Sequence, residues 1–368
     1  MPSFFDLTLE QVGQAMEAWG EPHYRARQTW QAVYRDLAAS PEAITTLPKP
    51  LRQKLAEAFA FNSLTPATTL TSSDRQTRKT LFRLPDGSAI EAVLMHYGDS
   101  DPADAAAASA RERRTVCIST QAGCALGCVF CATGQMGFKR NLTAGEIVEQ
   151  VLYYARSLKP RSDEAPATEA RPLTNIVVMG MGEPFLNYEN TLAALDILNS
   201  PEGFNFGERR ITLSTVGIVP GIERFAAEKR QINLAISLHA ATDQLRSQLM
   251  PINRKYPLSA LVPSVRHYVE TTHRRVTFEW ALIKGVNDGP EQAEKLADIA
   301  AGLSLAHVNL IPLNPSRGYA GAAATREQIV VFQGILEARG VACTVRTRRG
   351  VEISAGCGQL AGMPGGPA

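Results

Sequence analysis

Apolar positions change their period along the chain. Leu9, Val12, Met16 and Trp19 recur at helical spacing, and Tyr24, Gln28, Trp30, Val33 and Tyr34 do so less cleanly. A third helix is predicted over 51–61, so 1–75 reads as a small helical N-terminal domain. The period then shortens. Segments 79–84 and 89–97 read as strands joined by Pro85, Asp86 and Gly87, a hairpin signal. Segment 98–110 is small and polar, a linker with no reason to pack, and closes a hairpin-and-linker region over 76–110.

Beyond it, β-rich runs alternate with helical ones. Strands are predicted over 115–120, 175–180, 210–215, 232–239, 275–283, 307–314 and 343–347. Helices are predicted near 143–158, 189–199, 218–229, 258–272, 290–302 and 325–339, and Thr143 with Glu146 forms a capping-box pattern before the first. Repeated β-then-α units imply a parallel sheet with right-handed crossovers. Six or so such units make an α/β fold, an open partial (β/α) barrel over 111–368, with its site at the C-terminal ends of the strands. Segment 159–172 reads as an inserted surface loop. No internal repeat is present.

Charge changes this picture little. Lys plus Arg is 38 and Asp plus Glu 36, a net +2. That excludes a histone-like polycation and an acidic disordered chain. It leaves nucleic-acid binding open, because binding needs only a local basic face. No apolar run approaches the ~18–20 residues that span a bilayer. The N-terminus MPSFFDLTLEQ lacks a charged segment followed by an apolar stretch, so a cytoplasmic protein without membrane contact is expected.

The six cysteines change it greatly. Cys124, Cys128 and Cys131 form CxxxCxxC just after a predicted strand, with Gly123 and Gly127 easing the loop. Three thiolates in eight residues wrap a soft metal centre. Structural zinc usually takes four ligands from two knuckles, and the second knuckle is missing. A [4Fe–4S] cluster on three cysteines leaves one iron open to a substrate. Zinc with Cys117, Cys343 or a histidine as fourth ligand is the competing reading, and buried structural cysteines are the plain one.

CxxxCxxC on such a fold resembles the radical S-adenosylmethionine superfamily. More specifically, RRTVCISTQAGCALGCVFCATGQMGFKRNL, then MGMGEP, LSTVG, SLHA, NLIPLNP and AGCGQL, resemble in that order the ribosomal RNA adenine-C2 methyltransferases, a family also credited with methylating transfer RNA. The resemblance runs from Tyr24 to Leu360. It implies one [4Fe–4S] cluster on Cys124, Cys128 and Cys131, and S-adenosylmethionine bound at Gly182, Glu183, Ser214, Ser237, Leu238, His239 and Asn314. Taken alone, MGMGEP is a glycine-rich turn and His239 a satisfied structural histidine.

The resemblance also implies a two-stage reaction. The C2 carbon of adenine is electron-poor and does not displace a methyl group from a sulfonium, whereas a cysteine thiolate does. Cys357 takes a methyl from one S-adenosylmethionine. A 5′-deoxyadenosyl radical from a second removes a hydrogen from that methyl, and the methylene radical adds to C2. After loss of an electron and the C2 proton, Cys117 attacks the Cys357 sulfur, forms a disulfide and frees the methylated base. Glu91 matches a position credited with accepting the proton, a role also considered for Cys117; the plain reading of Glu91 is a solvent-facing strand residue. Cys343 has no motif context and reads as core. Cys357 lies in a C-terminal segment expected to be flexible. Glu352 and Gly356 stand where the family commonly has Asp and Ala.

The implied substrates are 23S ribosomal RNA, at the peptidyl-transferase centre, and transfer RNA, at an adenine next to the anticodon. The implied electron donor is flavodoxin-like or ferredoxin-like, and a monomer is expected. Basic groups at Arg111, Arg113 and Arg114, at Lys139 and Arg140, at Arg209 and Arg210, and at Arg346, Arg348 and Arg349 are expected to rim an RNA-binding face. A buried adenine would have to be flipped out to react. The rival readings are a sister adenine-C8 methyltransferase that confers antibiotic resistance and shares all the cysteines, a radical enzyme of other specificity, and a non-catalytic zinc-dependent RNA-binding protein.

Overall fold

The computed structural model describes residues 1–98, 113–159 and 173–362. Three amphipathic helices open the chain: α1 (Leu9–Ala18), α2 (Tyr24–Tyr34) and α3 (Lys49–Ala58). Thr8 and Gln11 close a capping box at the start of α1. Three antiparallel strands follow, β1 (Thr65–Thr71), β2 (Thr77–Arg83) and β3 (Ala89–Tyr97). The expected hairpin joins β2 and β3. Gly87 takes a positive φ there, and Asp86 Oδ1 accepts from Ser88 N at 2.9 Å. β1 corrects the reading of 1–75 as helical: its Thr-rich run TPATTLT pairs along β2 and extends the main sheet. The linker at 99–110 and the loop at 160–172 lie outside the described residues.

The alternating part follows the predicted order. β4 (Arg113–Cys117) leads to a short hairpin, β5 (Gln121–Gly123) and β6 (Phe138–Asn141), with the one-turn α4 (Ala132–Gln135) in its loop. Then come α5 (Ala144–Ser157), β7 (Asn175–Val178), α6 (Tyr188–Asn199), β8 (Ile211–Thr215), α7 (Val219–Ala227), β9 (Asn233–Ser237), α8 (Asp243–Leu249), α9 (Leu258–Thr272), β10 (Val276–Leu282), α10 (Pro290–Ala301), β11 (Ala306–Pro312), α11 (Arg326–Ala338) and β12 (Cys343–Val345). The Thr143–Glu146 capping box forms as expected. α8 and the β5–β6 hairpin were not anticipated, because each is too short to show a period.

The large sheet has the order β1-β2-β3-β4-β7-β8-β9-β10-β11-β12, parallel from β4 onward and antiparallel before it. Its two edge strands do not pair with each other, so the barrel is open. Alternation along each strand divides the two faces. Trp280 of β10 turns outward onto Phe332 of α11, whereas Glu279 faces the concave side. The N-terminal helices share the core of this sheet. Gly145 N on α5 donates to Asp6 Oδ1 at 2.6 Å, and the Glu149 carboxylate accepts from Ser63 N at 2.9 and 2.8 Å. Among the described residues no helix is long and apolar enough to cross a membrane.

Candidate active site

Register lines up the concave face. Val93 opposes Cys117, Cys117 opposes Val177, and Val177 opposes Thr212. Ser214 opposes Ala235, Ser237 opposes Glu279, and Glu279 opposes Asn309. With a side-chain period of two, Glu91, Cys117, Ser214, Ser237, Glu279 and Asn309 all point inward. Glu91 therefore does not face solvent as a plain strand residue would.

The three motif cysteines occupy the tip of the β5–β6 hairpin. Gly123 must be glycine: its φ is +79°, and an added Cβ would lie 2.0 Å from the Gly137 carbonyl oxygen. Cys124 N donates to that oxygen at 3.0 Å, Cys131 N to Cys128 O at 3.1 Å, and Val129 N to Leu249 O at 3.0 Å. The thiols feel one another's charge. Burial pushes Cys124 up to about 11 and Cys128 higher, and neighbouring motif cysteines add to both. Such thiols ionise when a metal takes the proton's place. Three soft thiol donors on one loop, close enough to feel one another's charge, fit a three-cysteine [4Fe–4S] cluster.

The expected S-adenosylmethionine residues ring this loop. Gly180 and Gly182 pack where a Cβ would meet Ile118 O at 2.6 Å and the Gln121 side chain at 2.5 Å. Glu183 is 2 % exposed and accepts from Phe185 N at 3.0 Å and Val216 N at 2.9 Å. Burial pushes its carboxyl up to about 7 against hydrogen bonds that pull it down. A ligand ammonium beside it would restore the charge. Ser214 Oγ and Ser237 Oγ lie 3.4 Å apart, and Leu238 is buried at the end of β9. His239 holds a left-handed φ of +56°. Its Nδ1 accepts from Ala281 N at 2.9 Å, so the proton of the neutral ring is on Nε2; burial and then Arg246 pull the imidazole down to about 3. Asn314 Nδ2 donates to Cys357 O at 3.2 Å, and its buried Oδ1 has no hydrogen-bond partner, an acceptor open to a ligand.

The C-terminal segment is held rather than loose. Gly350 lies against Thr77 at one end, and Gly362 against Ala89, Met136 and Met181 at the other, so the segment crosses the open side of the barrel. Ala132 N donates to Gly358 O at 2.8 Å, and Thr133 Oγ1 to Leu360 O at 2.6 Å. Glu91 Oε2 accepts from Ala361 N at 2.7 Å and Gly362 N at 3.1 Å, while Oε1 pairs with Lys79 Nζ at 2.8 Å. Glu91 is 1 % exposed. Cys357 keeps solvent access within this enclosure. Desolvation pushes its thiol up, Arg346 pulls it down, and Glu279 and Cys131 push it up again. Desolvation pushes Cys117 to about 12, and Cys357 adds to the rise. Cys117, Cys131 and Cys357 thus belong to one electrostatic neighbourhood. The cysteines are free thiols.

Not every expected residue converges. Arg209 and Arg210 precede β8, at the end of the barrel opposite the cysteines, because parallel strands carry the site at their C-terminal ends. Arg140 is engaged by Asp86 at 2.5 Å and Glu146 at 2.7 Å, and Arg113 and Arg349 lie over Tyr97. Arg111 is outside the described residues. Lys139, Arg346 and Arg348 are exposed. Cys343 is half-buried at the margin of the core. Sequence reasoning missed Lys79, Arg246 and Glu279, which lie in ordinary strand or helix context and carry no motif signal.

The radical SAM superfamily model matches residues 118–298, and a ribosomal RNA large subunit methyltransferase N-terminal domain model matches residues 3–60. A probable dual-specificity RNA methyltransferase RlmN from Roseiflexus castenholzii is 46% identical, covering 98% of this chain and 96% of that one. One from Chloroflexus aurantiacus is 47% identical, covering 97% and 92%. A crystal structure of a radical SAM methyltransferase from Sphaerobacter thermophilus superposes with a TM-score of 0.89 at 51% identity, covering 99% of this chain and 100% of that one. With three cysteines set for a [4Fe–4S] cluster and relatives of this identity over its length, the chain belongs to the RlmN family of radical S-adenosylmethionine RNA methyltransferases.

Proposed function

We propose that this chain methylates C2 of an adenine in 23S ribosomal RNA, at the peptidyl-transferase centre, and C2 of an adenine next to the anticodon in transfer RNA, with Cys357 as methyl carrier. The observation that carries the reading is the pair Cys117 and Cys357, two thiols outside the cluster motif that feel each other's charge on one concave face. An enzyme that only generated a radical would need neither.

When bound, the cluster and S-adenosylmethionine supply the methyl group and a hydrogen-abstracting radical; the chain supplies orientation and exclusion of water. Cys124, Cys128 and Cys131 hold the cluster. Gly182 and Glu183 receive the amino-acid end of S-adenosylmethionine, and Ser214, Ser237, Leu238, His239 and Asn314 line the rest. Arg346 favours the Cys357 thiolate, which attacks the methyl carbon and carries it as a thioether. The methylene radical on that sulfur adds to C2, a base takes the C2 proton, and the oxidised cluster, where bound, would supply the acceptor for the one electron that leaves. Burial first, and then the charge of Cys357, keep Cys117 protonated while Cys357 is anionic. Once Cys357 is alkylated the second of these is gone, and Cys117 gives up its proton as its sulfur attacks. The Cys117 sulfur then bonds to the Cys357 sulfur, the carbon–sulfur bond breaks, and the freed methylene takes a proton to become the product methyl. An external thiol reduces the disulfide before the next cycle.

Glu91 accepts the C2 proton only after Ala361 and Gly362 release its carboxylate, so that role couples proton removal to movement of the C-terminal strap. The electron donor is flavodoxin-like or ferredoxin-like, and the enzyme acts as a cytoplasmic monomer. The test is product analysis. Anaerobically reconstituted protein, S-adenosylmethionine and reductant are incubated with unmodified ribosomal or transfer RNA, and nucleosides are identified by mass spectrometry. The expected product is 2-methyladenosine. An 8-methyladenosine product, or none while S-adenosylmethionine is still cleaved, overturns the assignment.

A further inference from the structure

Arg246 is 0 % exposed, the middle residue of the seven-residue α8. Its guanidinium has no carboxylate within ion-pair distance among the described residues. It donates instead to backbone carbonyls: Nη2 to Val216 O at 2.6 Å and Ser237 O at 3.4 Å, and Nε to Leu238 O at 3.1 Å. Nη1 donates to Asn253 Oδ1 at 2.8 Å, and Asn253 Nδ2 in turn donates to Asp243 Oδ1 at 2.9 Å. An unpaired buried cation costs several kcal/mol. Among the described residues the compensation of Arg246 is these hydrogen bonds and the more distant Asp243 carboxylate.

Its position explains the expense. Val216 N donates to Glu183 Oε2 at 2.9 Å while Val216 O receives Arg246, so one peptide unit links the MGMGEP glutamate to the guanidinium. The other carbonyls belong to Ser237 and Leu238, at the end of β9. Three residues further along α8, Leu249 O accepts from Val129 N of the cysteine loop. One short helix thus fastens the ends of β8 and β9 to the cysteine loop. Cys128 packs in one apolar cluster with Leu245 and Leu249, the neighbours of Arg246 on α8, so the guanidinium is held close to the cysteine loop. Three thiolates and an iron–sulfur core form an anion overall, and reduction adds one more negative charge.

We propose that Arg246 is a positioning residue with two roles: its fork sets the β8 and β9 ends against the cysteine loop, and its charge is the fixed counter-ion that eases one-electron reduction of the cluster. The inference rests on the iron–sulfur reading of the three cysteines but not on the RNA target. Absence of iron and sulfide from the wild-type protein would sink that reading itself; the outcomes below concern Arg246 alone.

The experiment is a redox titration of the anaerobically reconstituted, full-length protein with dithionite and mediators, followed by electron paramagnetic resonance. Iron and sulfide content and S-adenosylmethionine affinity are measured beside it. Arg246→Gln is expected to lower the reduction equilibrium constant at least tenfold, ~59 mV for one electron, and to weaken S-adenosylmethionine binding at least tenfold. Arg246→Lys keeps the charge and loses the fork. It is expected to stay within threefold of wild type in reduction while binding S-adenosylmethionine as weakly as the Gln variant. If Arg246→Gln does not fold or load iron, Arg246→Met, neutral and of similar length, takes its place and is expected to lower the reduction constant in the same direction. A fully loaded Arg246→Gln with an unchanged midpoint, equal potentials for the Lys and Gln variants, or a loaded Arg246→Met that reduces as easily as wild type would overturn the counter-ion role. Unchanged S-adenosylmethionine affinity in both Arg246 variants would overturn the positioning role.

Discussion

At the scale of single residues, the most consequential finding is that Glu91 has two loads. It pairs with Lys79 across the sheet and caps two backbone amides of the C-terminal strap. Replacing Lys79 by Met leaves a carboxylate buried without its cation, a loss of about 3–5 kcal/mol. Glu91→Gln leaves the lysine unpaired and costs a similar amount, whereas the double variant recovers much of either loss. Denaturant unfolding of the three proteins reads this directly, and strict additivity would contradict it. The cysteines and the glycine motif were legible in the sequence because thiolate chemistry and close backbone approach each demand a residue type. Lys79 was not. It and Glu91 are diagonal neighbours on β2 and β3, with Lys79 opposite Val93 and Glu91 opposite Leu81. Only a known register brings them together. Arg246 was hidden for another reason: a lone arginine in a short amphipathic segment reads as solvated surface until its carbonyl partners are seen.

At the scale of elements, the strands and helices of the alternating region fell near their predicted places, because period-two and period-3.6 patterns were long and capped. The reading failed where elements were short or polar. β1 is rich in threonine and mostly exposed, and α8 buries two of its seven residues. Two predictions belong here. Gly180 sits where a Cβ would lie 2.6 Å from Ile118 O and 2.7 Å from Ile118 C. Gly180→Ala must therefore push the end of β7 away from the chain after β4, at about 1–3 kcal/mol, and S-adenosylmethionine affinity measured by equilibrium dialysis is expected to fall at least tenfold. The second concerns the joint between the N-terminal region and α5. Burial pushes the Glu149 carboxyl up to about 7. Between its ordinary value near 4.5 and 7, the folded protein keeps a proton that the unfolded chain has released. Glu149 thus favours the fold at low pH, and that advantage is lost as pH rises to 7, by up to about 1.4 kcal/mol per pH unit. Melting temperatures from pH 4.5 to 7.5 should fall less steeply for Glu149→Gln than for wild type. Parallel curves would show that Glu149 ionises normally.

At the scale of the whole molecule, the open barrel explains how Cys357, the proposed methyl carrier, reaches the site from so late in the chain. The sheet leaves a gap between β12 and its antiparallel extension, and the segment from Gly350 to Gly362 closes it, setting Cys357 beside the strand ends that carry the cysteine loop. The sequence order of βα units made the barrel legible; the closure was not, since it depends on tertiary contacts between Thr77, Thr133, Glu91 and the tail. The basic rim was only half legible, because Arg209 and Arg210 lie at the wrong end and Arg140 is already paired. For RNA affinity we expect the exposed Lys139 and Arg348 to matter. Each alanine variant should lower the slope of log K against log salt by roughly 0.7–0.9, whereas Arg209→Ala should leave it unchanged; equal effects would deny the mouth its role. The central claim is that the methyl group passes to RNA through Cys357 and is released by Cys117. The most direct measurement is peptide mass spectrometry of Cys117→Ala after anaerobic incubation with S-adenosylmethionine, reductant and RNA, followed by nuclease and protease digestion. The account predicts that the peptide containing Cys357 carries an adenine nucleotide linked through one methylene carbon, and that the adduct vanishes in the Cys117→Ala, Cys357→Ala double variant. Free methylated adenosine released over many turnovers by Cys117→Ala, with no adduct on Cys357, would contradict it.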